Sequence, residues 1–158
     1  MIKYKYRYNM SASIEVYNPM SAYNGAIKTL EKNGIRATKQ RRVLAKIIFD
    51  KGKRHISAEN LFDEVKKEER KISMATVYNT LKQFTSLGLI KEIVVDQNKS
   101  LYCNNNQSHY HLYIEDEGKV IDIPTKNIDL DIPSIPACLQ LHNIDVIVRI
   151  RTLKDKKS

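Results

Sequence analysis

Two histidines one residue apart, His109 and His111, stand in the segment SHYHLYIEDEGKVIDIP, residues 108–124. Neutral imidazole is a good ligand for divalent transition metals, and it is available near physiological pH. If the segment opens with a strand, side chains alternate along it. His109, His111 and Tyr113 then share one face, and Tyr110, Leu112 and Ile114 make an apolar one. In KVIDI the apolar set is Ile121 and Ile123, with Val120 and Asp122 as the alternates. Keeping apolar beside apolar pairs even positions of the first strand with odd positions of the second. A slip of one residue would bury the histidines and expose Leu112. The tightest register that meets this condition has Asp116-Glu117 as its loop and sets His111 across from Asp122. Two imidazoles and a carboxylate then converge, a donor set suited to Zn2+, Fe2+ or Mn2+. A three-residue loop, which Gly118 also tolerates, throws Asp122 to the far side. Two histidines on an exposed strand can equally be solvated and idle.

Ahead of these strands the hydrophobic period is helical. Ser21 can cap a helix that runs to Asn33 and stops at Gly34. Thr38 can cap a second, TKQRRVLAKIIFDKG, with Val43, Leu44, Ile47 and Ile48 inward and Gly52 at its end. Ser57 can cap a third, SAENLFDEVKKEER, burying Leu61, Phe62 and Val65. Ser73 can cap a fourth, SMATVYNTLKQFTSLG, where Val77, Leu81 and Phe84 form the stripe and Gly88 the stop. LIKEIVVDQNKSLYC then reads as two strands about the polar turn at residues 96–99.

Helices followed by a hairpin outline a winged helix-turn-helix, whose last helix enters the major groove. Away from its stripe the fourth helix offers Thr76, Asn79, Thr80 and Gln83, with Tyr78 and Lys82 flanking. The run GIRATKQRR adds Arg36, Lys39, Arg41 and Arg42 as phosphate partners. Double-stranded DNA is the implied partner; an amphipathic helix with a wet side is the plainer alternative.

Charge agrees with that division. Residues 1–100 hold 20 Lys and Arg against 10 Asp and Glu, whereas residues 101–158 hold 7 against 8. A basic front joined to a near-neutral back suggests a polyanion-binding module joined to something with another job. Cys103 and Cys138 are the only cysteines and form no CxxC pair, so neither a CxxC structural zinc site nor a disulfide framework is expected. Nothing approaches a membrane span of ~20 apolar residues, and a cytoplasmic protein is expected. The expected class is α+β: an N-terminal winged helix-turn-helix, then a small α/β dimerisation domain with a three-stranded sheet. The expected divisions are a disordered arm over 1–20, the DNA-binding domain over 21–103, a linker over 104–107 and a dimerisation and sensing domain over 108–153. A disordered tail completes the chain over 154–158. Pro133 and Pro136 oppose a long helix in the sensing domain, and IDVIVRIRTL reads as its last strand. So small a sheet cannot shield both faces alone, hence the expected homodimer.

HISAENLF, ISMATVYNTLKQF, GLI and HYHLYIEDEGKVIDI, in that order, resemble the ferric uptake regulator family over about residues 34–123. Within it ATVYNTL, the cysteine-free acidic turn before KVIDIP, and DVIVRIR look most like the iron response regulator branch. The resemblance implies a dimeric, metal- or haem-responsive regulator of iron homeostasis genes, mainly a repressor, that binds an inverted-repeat operator. Carried over by position, its regulatory metal site falls on His55, Cys103, His111 and Asp122. A second family site would use His109 and Asp129, with Tyr110 where a ligating Asp is common and His142 out of register with the family's later histidine. Cys103 stands where the family carries a carboxylate, and a thiolate there favours zinc or haem iron over manganese. The Cys-Pro haem motif of some branch members is absent, so haem would need His109, His111, Tyr110 or Cys103 as axial ligand.

A metalloenzyme is the rival of another class. HExxH, GxSxG, a P-loop and the HxE…PCxxC of zinc deaminases are all missing. Two nearer alternatives are a peroxide-sensing regulator of the same family and a DNA-binding protein with a vestigial sensor.

Overall fold

The computed structural model describes residues 17–68 and 70–153. Residues 1–16 of the arm expected over 1–20, and the tail expected over 154–158, lie outside them, whereas Pro19 and Met20 of that arm are helical.

Four helices come first: α1 (Pro19–Lys32), α2 (Lys39–Phe49), α3 (Ala58–Lys67) and α4 (Met74–Ser86). Thr38, Ser57 and Ser73 cap the last three as expected, their side-chain oxygens accepting from the backbone N–H groups of Arg41, Asn60 and Thr76. Such caps are each worth about 1 kcal/mol. The first helix begins earlier than expected. Asn18 caps it by accepting from the N–H of Ser21, and Pro19 takes the first turn, where its missing N–H costs nothing. Gly34 and Gly88 adopt positive φ (71° and 67°) and stop α1 and α4. Leu30, Leu44, Ile48, Leu61, Val65, Val77, Leu81 and Phe84, none above 1% exposed, fill one core between the four helices. Burying each side chain contributes roughly 1.5–3 kcal/mol.

The hairpin of β2 (Lys91–Asp96) and β3 (Lys99–Cys103) follows, turning at Gln97 and Asn98. A two-residue strand, β1 (His55–Ile56), joins it as a third antiparallel member in the order β1-β3-β2. The sequence period gives no sign of β1, because two residues cannot display a period. Its register nevertheless matters, since it pairs His55 with Cys103.

A second sheet contains β4 (His109–Ile114), β5 (Lys119–Pro124) and β6 (Ile147–Ile150) in the order β5-β4-β6. β5 is antiparallel to β4 and β6 parallel to it. The β4–β5 register is the one with Asp116-Glu117 at its centre, and it sets His111 opposite Asp122 as expected. The α+β class is borne out: helices with a strand hairpin, then a small three-stranded mixed sheet. Among the described residues this second part contains no α-helix, only a 3-10 turn at Thr125–Asn127. Residues 128–146 cross from β5 to β6 without regular structure.

One expectation about the second sheet is overturned. The face that carries His111 and Tyr113 is the buried one, and the apolar face of Tyr110, Leu112 and Ile114 is only half-buried. Tyr113 and Val120 supply the apolar contact on the histidine face, packing with Ile93, Val95, Leu101 and Cys103 of the first sheet. The expectation had assigned burial by hydrophobicity alone, and polar donors are buried here because they meet one another.

Candidate metal centre

Five side chains from four strands meet between the two sheets. His55 comes from β1, Cys103 from the end of β3, His109 and His111 from β4, and Asp122 from β5. One ligand atom from each lies within 4.8 Å of all the others. The closest approaches are His55 Nε2 to Asp122 Oδ1 at 2.9 Å and His109 Nε2 to His111 Nε2 at 2.9 Å. Cys103 Sγ lies 3.4 Å from His109 Nε2, and Asp122 Oδ1 lies 3.4 Å from His109 Nε2 and 3.7 Å from His111 Nε2.

Backbone geometry explains the convergence. Pairing places His55 beside Cys103, whose strand is the central one, and His111 beside Asp122. Alternation puts His109 on the same face as His111. The Nδ1 of His109 is 2.6 Å from the carbonyl oxygen of Gln107. A carbonyl only accepts, so Nδ1 carries the proton and Nε2 turns a lone pair inward.

The donors fit a transition-metal ion. His55 Nε2 and Asp122 Oδ1 are buried and have no hydrogen bond of acceptable geometry, although they approach to 2.9 Å. Buried polar atoms left this way are costly unless something else satisfies them. Three imidazoles, a thiol and a carboxylate match the ligand chemistry of zinc and similar ions. Burial pushes the Cys103 thiol up to about 11, with the Asp122 charge adding to it. Burial also depresses His111 to about 4, helped by the charges of His109 and His55. For Asp122, burial alone would raise the value. The imidazole of His55 and the amide of Asn105 outweigh it and hold the carboxyl down near 2. At neutral pH the centre therefore offers a neutral His111 and an ionised Asp122.

All four positions assigned to the regulatory site are thus together, and His109 joins them. Asp129, its expected partner in a second site, is exposed and outside the cluster, as is His142. Tyr110 points to the opposite face from the two histidines beside it.

The sequence reading missed Asn105. Only 6% exposed, it donates its side-chain amide to Asp122 Oδ2 at 2.6 Å. Asn104, 3% exposed, donates to the carbonyls of Ile48 and Gly52, both at 2.8 Å, and accepts from the N–H of Arg54. Their run of three asparagines looks like a linker in one dimension. No local signal separates a solvated Asn from one that satisfies buried carbonyls.

On the side expected to face DNA, Arg36, Lys39, Tyr78, Asn79 and Lys82 are exposed, and Thr76 is half-buried. Arg41 donates to Gln83 Oε1 and to the carbonyl of Arg36, both at 2.7 Å, and Arg42 to Ala37 and Glu31. The Tyr78 hydroxyl donates to Glu59 at 2.7 Å. Thr80, read as part of the polar face, is 2% exposed and bonds back to the Thr76 carbonyl.

A winged-helix front whose small sheet meets a second sheet at five side chains able to hold a metal ion is the architecture of a metal-responsive transcriptional regulator. Residues 32–149 match the ferric uptake regulator family, and the chain belongs to that family. It is 29% identical over 120 residues to the peroxide-responsive repressor PerR of Staphylococcus saprophyticus, covering 76% of this chain and 79% of that protein. The ferric uptake regulator of Vibrio cholerae superposes with a TM-score of 0.63 at 25% identity, over 80% of this chain and 98% of that one. The ferric uptake regulator of Pseudomonas aeruginosa, solved with manganese, has the same TM-score at 22% identity, over 80% and 97%. Among the described residues no helix is long and apolar enough to cross a membrane.

Proposed function

We propose that this chain is a cytoplasmic, homodimeric repressor whose affinity for an inverted-repeat operator is set by a divalent metal. His55, Cys103, His109, His111 and Asp122 would hold the ion. The observation that carries this reading is that the five donors come from both sheets yet converge within 4.8 Å. Closing them on one ion ties the recognition helix α4, through its wing, to the second sheet. In a dimer that angle sets the spacing of the two recognition helices, and one spacing suits half-sites a helical turn apart. A preference of a few kcal/mol for one arrangement is enough to switch occupancy. The thiolate of Cys103 favours Zn2+ or Fe2+ over Mn2+. Haem gains no support, because five donor atoms within 4.8 Å of one another suit a bare ion.

The test is operator binding by the apo protein, titrated anaerobically with Zn2+, Fe2+ and Mn2+. Metal should change the operator affinity of the parent at least tenfold, and His55→Ala should abolish that response while the protein stays folded. A His55→Ala variant that responds like the parent would sink the reading. An operator affinity indifferent to every ion and to chelator would instead favour a DNA-binding protein with a vestigial sensor.

Peroxide sensing is the second reading, favoured by the similarity to PerR and by the two histidines whose Nε2 atoms lie 2.9 Å apart in the centre. The ATVYNTL motif and the cysteine-free turn support the iron response branch instead. Mass spectrometry separates them. Peroxide added to the Fe2+-loaded protein would add one oxygen to His109 or His111 in the first case and to neither in the second.

A further inference from the structure

Asp122 reaches the centre through one oxygen only. Its Oδ2 accepts the 2.6 Å bond from the Asn105 amide, which leaves Oδ1 as the atom facing the three imidazoles. The backbone N–H of the same Asn105 donates to Cys103 Sγ at 3.4 Å. One residue thus touches the thiol and the carboxylate of the cluster, one from each sheet.

Asn105 is itself held firmly. Its Oδ1 accepts from the N–H of Gln107 at 3.2 Å, and its neighbour Asn104 is bonded to the end of α2 and to Arg54. A hydrogen bond from a fixed amide to a carboxylate is charge-assisted and directional. Groups of this kind, one step behind the ligands, orient them and commonly change metal affinity 10- to 100-fold.

We propose that Asn105 is a positioning residue of the metal centre, presenting Asp122 through Oδ1 alone and holding the Cys103 and Asp122 edge of the site together. This rests on the reading of the five residues as metal ligands. It predicts that Asn105 acts through Asp122 and not through general folding.

A double-mutant cycle reads this out, with Co2+ as the probe ion. Its absorption bands report both binding and the geometry of the donors. In the parent, Asn105→Ala should weaken Co2+ binding about 10- to 100-fold and shift the bands. In an Asp122→Ala background the same change should cost less than about threefold, since the partner is gone. Asn105→Asp keeps the oxygen that accepts from Gln107 but loses the donor, so it should also weaken binding at least about tenfold. Parental affinity and spectrum in both Asn105 variants would overturn the proposal. So would an equal cost in the two backgrounds, or parental binding in Asn105→Asp alone, because either result assigns Asn105 to the turn. A parent protein that binds neither Co2+ nor Zn2+ would instead remove the metal reading itself.

Discussion

Burial leaves Cys103 protonated at neutral pH, with its thiol pushed up to about 11. Only a thiolate binds a cation, so metal uptake must expel that proton. Calorimetric Zn2+ titration in buffers of different ionisation heat should therefore count about one more proton released by the parent than by Cys103→Ala. An equal count would remove Cys103 from the ligand set. His111 makes a separate statement about pH. Burial first, then the charges of His109 and His55, lower it from 6.5 to about 4. The unfolded chain therefore binds the extra proton between those values. The stabilisation is full above pH ~6.5 and is lost as pH falls through about 4, with an upper size of about 3 kcal/mol. Asp122, held near 2 against an ordinary 3.8, adds a slope of the same sign only below about pH 5, where the unfolded chain begins to take up its proton. Urea midpoints of the metal-free protein should fall steadily from pH 7 to pH 4.5, and His111→Gln should flatten the fall.

At the scale of elements, the centre depends on how the end of β3 is anchored. Asn104 satisfies the carbonyls of Ile48 and Gly52, next to the C-terminal end of α2, and fixes Arg54 just before β1. Asn104→Ala would remove the donor to the buried carbonyl of Ile48, at a cost of about 1–3 kcal/mol. Denaturant unfolding would show it, and an unchanged midpoint would contradict the anchoring role. This part of the fold was closed to sequence reading, because polar residues in a row look alike whether wet or buried. Other parts were open to it. The caps at Thr38, Ser57 and Ser73 were legible because their side chains bond within three residues. The register of β4 and β5 was legible from alternation, which admits few pairings once apolar positions must match. β1 and the parallel pairing of β6 were not legible, since both are set by partners distant in sequence. The candidate site divides in the same way. His111 opposite Asp122 follows from local pairing, while His55 and Cys103 were placed only by resemblance to the family. His109 follows from alternation along β4, which sets both imidazoles on one face.

For the whole molecule, the two faces of the second sheet have different work. One face holds His111 and Asp122 against the wing. The other presents Tyr110, Leu112 and Ile114 with Ile121 and Ile123, all half-buried. On the crossing from β5 to β6, Ile132, Ile135, Leu139 and Leu141 are between 42% and 64% exposed. Exposed apolar surface of this kind marks a protein contact, and in this reading a second copy of the chain covers it. The opposed faces make dimerisation and metal binding separable. Leu112→Glu places a charge on the apolar face without touching the donors. Sedimentation should then find a monomer, and operator affinity should drop by at least about tenfold because the two half-sites are no longer bound together. Co2+ titration should still give nearly parental affinity. A Leu112→Glu protein that stays dimeric would place the contact elsewhere. One that loses Co2+ together with the dimer would mean that the two faces are coupled and that the ion site is completed only in the assembled regulator.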